Sequence, residues 1–224
     1  MNDTTRVVAW WIAFAGSHLL LSSRLIRPRL VARLGARPFA GLYSAIAVLT
    51  FVPLVGAYWE CRHGGPMLWA LRMLPGAVPL ALLLGATGVA FVATSFAQPS
   101  VTGMDQRAVT RARGLTRITR HPLFMGLALW GSGHLIVNGF ATDAVFFGGF
   151  AVFGFLGAIH QDSRKRGEQG RRLEAFYTET SLLPFAAIVT GRNHLELAEL
   201  PWLALALGFV SAAGIYLLHP LLFR

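Results

Sequence analysis

The chain alternates long apolar runs with short polar segments that are rich in arginine. A helix needs about 20 mostly apolar residues to cross the hydrocarbon core of a membrane, and six runs reach or approach that length. They cover residues 7–23, 39–59, 74–96, 123–137, 144–159 and 202–218. No alternation of β type rivals this pattern. We therefore predict an all-α integral membrane protein with six transmembrane helices, folded as a single polytopic domain over residues 1–224.

The composition agrees with a membrane location. Hydrophobic residues make up 54% of the 224 residues and charged residues only 13%, whereas a soluble domain carries about 25% charged residues. The single cysteine, Cys61, excludes a disulfide within the chain and every metal site built from several cysteines. Metal chemistry in this chain therefore depends on histidine.

The basic residues give the predicted helices an orientation. Sixteen of the 20 lie in the loops between helices one and two, three and four, and five and six. They are Arg24, Arg27, Arg29, Arg33, Arg37, Arg107, Arg111, Arg113, Arg117, Arg120, Arg164, Lys165, Arg166, Arg171, Arg172 and Arg192. By the positive-inside rule these loops face the cytoplasm, as in a bacterial-type inner membrane, and both termini lie outside. The net charge of +10 is then explained by the topology and by contact with membrane lipid, and no nucleic-acid partner is expected.

The long loop at 161–201 has room for a helix of its own. Residues 168–177 are rich in charge. Leu173 is followed three and four positions later by Phe176 and Tyr177, so that the three would form an apolar edge on a helix. Such a segment is typical of a helix that lies in the membrane interface. A solvated loop is the alternative interpretation, and we predict the cytoplasmic interfacial helix.

Two histidines lie inside the apolar runs, His18 in the first and His134 in the fourth. Ionisable groups within membrane helices are costly and are functional-site hypotheses by default. Each histidine can be satisfied by a serine or a backbone carbonyl of a neighbouring helix. Two of them in separate helices, with no acidic partner in either run, also suit a metal or a haem held between them. His63 and His194 lie in loops and suggest no role.

Arg120-His121-Pro122 begins the fourth run. Proline is well tolerated in a first helical turn, so the segment can simply start a helix at the interface. The functional alternative is a polar cluster facing an anionic group, such as a haem propionate or a cofactor carboxylate. We therefore take Arg120 and His121 as candidate cofactor-binding residues.

Several blocks of the sequence resemble the signature of the NnrU family, which includes the 15-cis-ζ-carotene isomerases of plants and cyanobacteria. They are Arg117-Ile118-Thr119-Arg120-His121-Pro122, Gly126, Trp130, Gly133-His134-Leu135, Asn138-Gly139, Asp162-Ser163-Arg164, Thr180-Ser181-Leu182-Leu183-Pro184-Phe185-Ala186-Ala187-Ile188, Gly191-Arg192 and His219-Pro220-Leu221. His18 and the region 34–43 extend the resemblance towards the N-terminus.

The resemblance implies a membrane protein that binds haem b through His18 and His134, which would be both the metal ligands and the catalytic residues. In the isomerase branch the reaction turns the central 15-15′ cis double bond of a ζ-carotene to trans. In that mechanism reduction frees one ligand, and the ferrous iron acts on the polyene without net redox change. The implied partners are the haem, an apolar polyene or other lipid-like substrate, and an electron donor.

Two other function classes stay open. Arg120-His121-Pro122 with Phe124 and Gly126, followed by Glu174, also resembles the isoprenylcysteine and phospholipid methyltransferases. That resemblance implies S-adenosylmethionine bound by Arg120 and Glu174. A haem-based sensor or electron-transfer protein, linked to nitric-oxide or denitrification metabolism as in the other NnrU branch, would share His18 and His134 without catalysing a reaction.

Overall fold

The structure is a computed structural model that describes residues 2–98 and 110–222. Across these residues the fold is helical, and the only extended pairing among them is an isolated bridge between Met67 and Phe140. The helices are α1 Asp3–Leu21, α2 Ile26–Leu34, α3 Ala36–Cys61, α4 Ala77–Ala97, α5 Pro122–Val137, α6 Ala141–Gln169, α7 Glu174–Glu179, α8 Ala186–Val189 and α9 Trp202–Leu222. The predicted all-α class is confirmed. Arg107 and Arg224, two of the basic residues, lie outside the described residues.

A helix occupies each of the six predicted spans, and four of the helices are long and apolar enough to cross a membrane. These four are α3, α4, the run Ala141–Glu179 that begins with α6, and α9. They indicate a membrane protein. The apolar helix α5 has 16 residues, about 24 Å at 1.5 Å per residue, and α1 carries Arg6 and His18 within its 19 residues. Spans at α1 and α5 therefore stay predictions, as do the orientation and the single domain.

The chain divides into two compact units. In the first unit, residues 2–78 and 135–149, α1 packs along α3. The apolar faces of these two helices bury Val7 and Trp11 on α1 and Leu54 and Ala57 on α3. The short helix α2 connects α1 to α3, and none of its residues is buried. This unit contains His18.

In the second unit, residues 79–134 and 150–222, small residues bring the helices close together. An added Cβ on Gly88 of α4 would lie 2.6 Å from the carbonyl oxygen of Gly126 on α5. On α9, a Cβ at Gly208 would lie 2.5 Å from Cα of Ala90. Backbones this close give the van der Waals contact on which helix association in lipid depends. A buried cluster of Phe91, Leu115, Ile118, Met125 and Ala128 joins α4, α5 and the segment before α5.

The segment predicted to be an interfacial helix has a different structure. Over residues 168–177 the chain completes α6, makes a 3₁₀ turn at Gly170–Leu173 and enters α7. Leu173, Phe176 and Tyr177 are buried, with 2%, 0% and 8% of their surface exposed. The apolar edge therefore packs inside the protein and is not available to a membrane interface. The interfacial helix is not confirmed at this position.

Candidate functional site

A buried polar cluster lies at the start of α5, in the second unit. Asp162 of α6 is an ion-pair partner of Arg120 Nη1 and lies 2.7 Å from Nε2 of His121. Arg120 and His121 expose only 6% and 0% of their surface. A charge buried to this extent is costly unless it is paired and hydrogen-bonded. Asp162 therefore supplies the anion that these two side chains contact in the structure.

Arg120 makes further hydrogen bonds besides its contact with Asp162. Its Nε donates to Oγ1 of Thr180 over 2.9 Å, and Nη2 donates to the Thr180 carbonyl over 2.9 Å and to the Tyr177 carbonyl over 3.3 Å. The Arg120 backbone N–H donates to the carbonyl of Ser181 over 2.8 Å. One arginine thus connects the start of α5 to α6 and to the segment that follows α7.

The ring of Tyr177 packs against this arginine. Two guanidinium groups lie close to its ring, with the central carbon of Arg120 4.3 Å from the ring centroid and that of Arg166 at 4.1 Å. A guanidinium over an aromatic face is attracted by the ring quadrupole, and more strongly where water is excluded. The Tyr177 ring therefore stabilises the buried side of the cluster.

His134 lies in the last turn of α5, twelve residues after Pro122. Its Nδ1 lies 2.9 Å from the carbonyl oxygen of Trp130, and because a carbonyl only accepts, Nδ1 carries the proton in the neutral ring. The lone pair is then on Nε2, the arrangement in which metal-bound histidines are commonly held by a backbone carbonyl. The Trp130 ring packs against the imidazole with 4.3 Å between centroids.

His18 lies in α1 of the first unit, where it is half-buried. Its ring is between Phe14 on the same helix, 4.8 Å away, and Tyr43 on α3, 4.6 Å away, measured between centroids. The two rings limit how the imidazole can turn. His18 and His134 thus belong to different units, and each has an apolar or aromatic setting.

The donor set fits a haem better than a bare metal ion. No group of three or more His, Cys, Asp or Glu side chains that could hold a metal ion occurs among residues 2–98 and 110–222. Haem iron is already held by four ring nitrogens and takes only one or two axial ligands from the protein. A neutral histidine with its Nδ1–H bonded to a carbonyl, as His134 has, meets that requirement.

A second buried carboxylate organises the first unit, and sequence reasoning gave its partner His63 no role. Asp143, 0% exposed, accepts the Tyr58 hydroxyl over 2.9 Å and the His63 backbone N–H over 3.1 Å. Its other oxygen lies 2.8 Å from Nδ1 of His63. His63 has a φ of 57°, a conformation that bulky residues rarely adopt. The carboxylate therefore fixes the turn after α3.

A bidentate ion pair lies in the second unit, just before α9. Arg117 donates from Nε and Nη2 to the two carboxylate oxygens of Glu199, over 2.8 Å and 3.2 Å. The backbone N–H of Gly114 donates to the same carboxylate over 3.0 Å. These bonds, first of all those from Arg117, lower the pKa of Glu199 to about 2. The segment before α5 is thereby fixed to the segment before α9.

The methyltransferase hypothesis needs Arg120 and Glu174 to contact one ligand. Glu174 lines a surface cavity of about 330 Å³ with Arg166, Gly170, Tyr177 and Thr178. Arg120 is not part of that lining, and its donors face Asp162 and Thr180. Tyr177 lines this cavity and its ring also contacts Arg120, and the methyltransferase interpretation stays a hypothesis.

The sequence is similar to known proteins along nearly all of its length. It matches the NnrU protein family over residues 7–224. The chloroplastic 15-cis-zeta-carotene isomerase of Arabidopsis thaliana is 29% identical over 225 aligned positions, which cover 94% of this chain and 58% of that protein. The chloroplastic 15-cis-zeta-carotene isomerase of Zea mays is 28% identical over 197 positions, 82% of this chain and 50% of that protein.

The chain spans about half the length of these curated relatives. No solved structure matches the chain. The family match alone covers far more than half of the sequence, including His18, Arg120, His121 and His134. The chain belongs to the NnrU family.

Proposed function

We propose that this chain is a haem-b-binding membrane enzyme that isomerises the central 15-15′ cis double bond of a ζ-carotene to trans. The observation that carries the proposal is the similarity to two 15-cis-zeta-carotene isomerases, one of them aligned with 94% of this chain. The four apolar helices suit a substrate of this kind, because a carotene partitions into the bilayer and would approach the protein from lipid.

His18 and His134 are the axial ligands in this proposal. His134 is supported by its hydrogen bond to the Trp130 carbonyl, which leaves the lone pair on Nε2 for a metal. His18 is supported by its position in an apolar helix between two aromatic rings. Bound haem would supply an iron that, once reduced by an electron donor, interacts with the polyene without net redox change. The protein supplies ligation and a dry setting.

Arg120 and His121 have a positioning role in this proposal. Their contact with Asp162 fixes the residues just before α5, the helix whose last turn contains His134. These contacts hold the start of α5, and cofactor binding by Arg120 and His121 stays a prediction. The orientation with basic loops in the cytoplasm and both termini outside belongs to the same proposal and rests on the positive-inside rule.

The absorption spectrum of the purified chain tests this proposal. Protein produced in haem-replete cells and purified in detergent should show a Soret band, and His18→Ala and His134→Ala should each diminish it or change the spin state. His194→Ala is the matched control, because the exposed His194 side chain contacts Glu196 of its own loop, and the backbone bonds of this residue remain in the variant. Stoichiometric purification without haem would contradict the proposal. Haem without conversion of ζ-carotene would favour the sensor or electron-transfer alternative.

A further inference from the structure

The short helix α2 is the most basic element of the first unit. Arginine occupies positions 27, 29 and 33 within its nine residues, and Arg24 and Arg37 flank it. The sequence has no aspartate or glutamate between residues 4 and 59. This helix therefore carries its positive charge without any acidic residue near it in the sequence.

None of the residues of α2 is buried. Arg29 and Arg33 are exposed and stand four positions apart, so their side chains are neighbours on one face of the helix. Leu25 and Leu34, at the two ends, expose 69% and 45% of their surface. The helix thus combines exposed arginines with exposed leucines at its ends, and both residue types occur in helices that lie in a membrane interface.

Several basic residues elsewhere in the described part of the chain have carboxylate partners. Arg117 pairs with Glu199, Arg120 with Asp162 and Arg164 with Glu168. Over residues 2–98 and 110–222, no ion pair involves Arg29 or Arg33. Two like charges at positions i and i+4 destabilise a helix slightly, and an anion bound between them would remove that repulsion.

We propose that α2 binds the headgroup of an anionic phospholipid, with Arg29 and Arg33 contacting its phosphate and the leucines at the helix ends entering the acyl region. The position of the helix selects a lipid over a soluble anion. The membrane-length helix α3 begins at Ala36, two residues after α2 ends, which brings the arginines to headgroup level. A guanidinium pairs with two oxygens of a phosphate at once, and juxtamembrane basic residues are attracted to anionic lipid.

The positive-inside rule concerns orientation alone. A lipid bound to α2 would in addition make substitution there differ from an equal loss of charge elsewhere. The interfacial helix of this protein would then be 26–34 and not 168–177, where the apolar edge is buried.

Native mass spectrometry of the full chain, released from neutral detergent, tests the proposal. The measured quantity is the apparent affinity for the first bound phosphatidylglycerol, with phosphatidylcholine of the same acyl chains as the reference lipid. Each arginine near the headgroups is worth about fivefold in affinity, so Arg29→Gln with Arg33→Gln should weaken phosphatidylglycerol binding about 25-fold. Arg29→Lys with Arg33→Lys should retain most of it, because the charge remains.

Arg171→Gln with Arg172→Gln is the matched control, since it removes the same charge from exposed positions outside α2. It should leave the affinity for the first lipid unchanged. An equal loss in this control would overturn the proposal, as would equal binding of phosphatidylcholine by the parent chain. Competition by inorganic phosphate at the concentration of the lipid would show that the site takes free phosphate, which also overturns it.

Far-UV circular dichroism checks that each variant retains its helix content. If the double variant does not fold, Arg33→Gln alone should still weaken phosphatidylglycerol binding about fivefold, with Arg171→Gln as its control. No change in affinity for Arg33→Gln would contradict the proposal. None of these measurements depends on haem or on isomerase activity, so the outcome is independent of the proposed function.

Discussion

Replacing Asp162 tests whether the buried cluster holds the start of α5. Alanine at this position removes the anion that faces Arg120 and His121, which expose 6% and 0% of their surface. Asparagine keeps the shape and one acceptor but removes the charge. The two substitutions therefore separate the loss of charge from the loss of every hydrogen bond that the side chain makes.

The contacts of the cluster set the expected magnitude. Removing one partner of a buried pair costs about 3–5 kcal/mol, but Arg120 keeps its three bonds to Thr180 and Tyr177, and the Asp162 side chain is 16% exposed. We therefore expect a loss of about 3 kcal/mol in the free energy of unfolding for Asp162→Ala. For Asp162→Asn we expect about 1–2 kcal/mol, because charged hydrogen bonds become neutral ones.

Unfolding in mixed micelles by titration with SDS, followed by circular dichroism, measures these free energies. Glu168→Gln is the matched control on the same helix, because the partly exposed pair Arg164–Glu168 is worth only about 0.5 kcal/mol. A double-mutant cycle with Arg120→Gln should give a coupling of about 1–3 kcal/mol with Asp162→Asn. An Asp162→Ala loss no larger than that of Glu168→Gln would refute the reasoning.

Two further predictions concern the second unit. Gly88→Ala should destabilise the protein by about 1–3 kcal/mol, since its Cβ would lie 2.6 Å from the Gly126 carbonyl oxygen. The control Gly214→Ala has open space around it and should be neutral or stabilising by up to about 1 kcal/mol. Equal shifts of the melting temperature for the two variants would contradict the close helix contact. The pKa of Glu199 is lowered from 4.5 to about 2, so its stabilising effect is fully present above pH 4.5 and is lost as pH falls towards 2. Arg117→Gln should reduce the loss of thermal stability over this window, and an unchanged pH profile would count against the pair.

The helices could be predicted from the sequence because long apolar runs are a local signal. Their ends were less predictable. The run at 144–159 predicts a helix that stops near Ile159, but α6 continues to Gln169. The extra residues are mostly arginine, lysine, glutamate and glutamine, which are good helix formers, and the Arg164–Glu168 pair links two successive turns. A helix can thus extend beyond the apolar part that defines a span.

The short elements show the opposite limit. The nine residues of α2 are too few to form a stable helix on their own. The helix therefore could not be predicted from its local sequence. Residues 168–177 carry an amphipathic pattern, but a pattern shows only that one face is apolar, and not whether protein or lipid covers that face. In this fold the protein covers it, since Phe176 is fully buried.

The candidate site was predictable in part. Arg120 and His121 stand out as polar residues beside an apolar helix, and His134 stands out within one. Their partner Asp162 follows His121 by 41 positions, and a pairing over such a distance depends on how α5 and α6 pack. The bond from His134 to Trp130 is different, because it reaches the carbonyl four residues earlier in the same helix and follows from helix geometry alone.

The most direct test of the proposed function is the conversion of 9,15,9′-tri-cis-ζ-carotene by the purified chain, followed by chromatographic separation of the isomers. The reduced protein should yield the 9,9′-di-cis isomer over many turnovers, while the oxidised protein, His18→Ala and His134→Ala yield little. His194→Ala should retain the activity of the parent chain. Haem-loaded, reduced protein that yields no di-cis product, or product formed equally well by both histidine variants, would contradict the proposal.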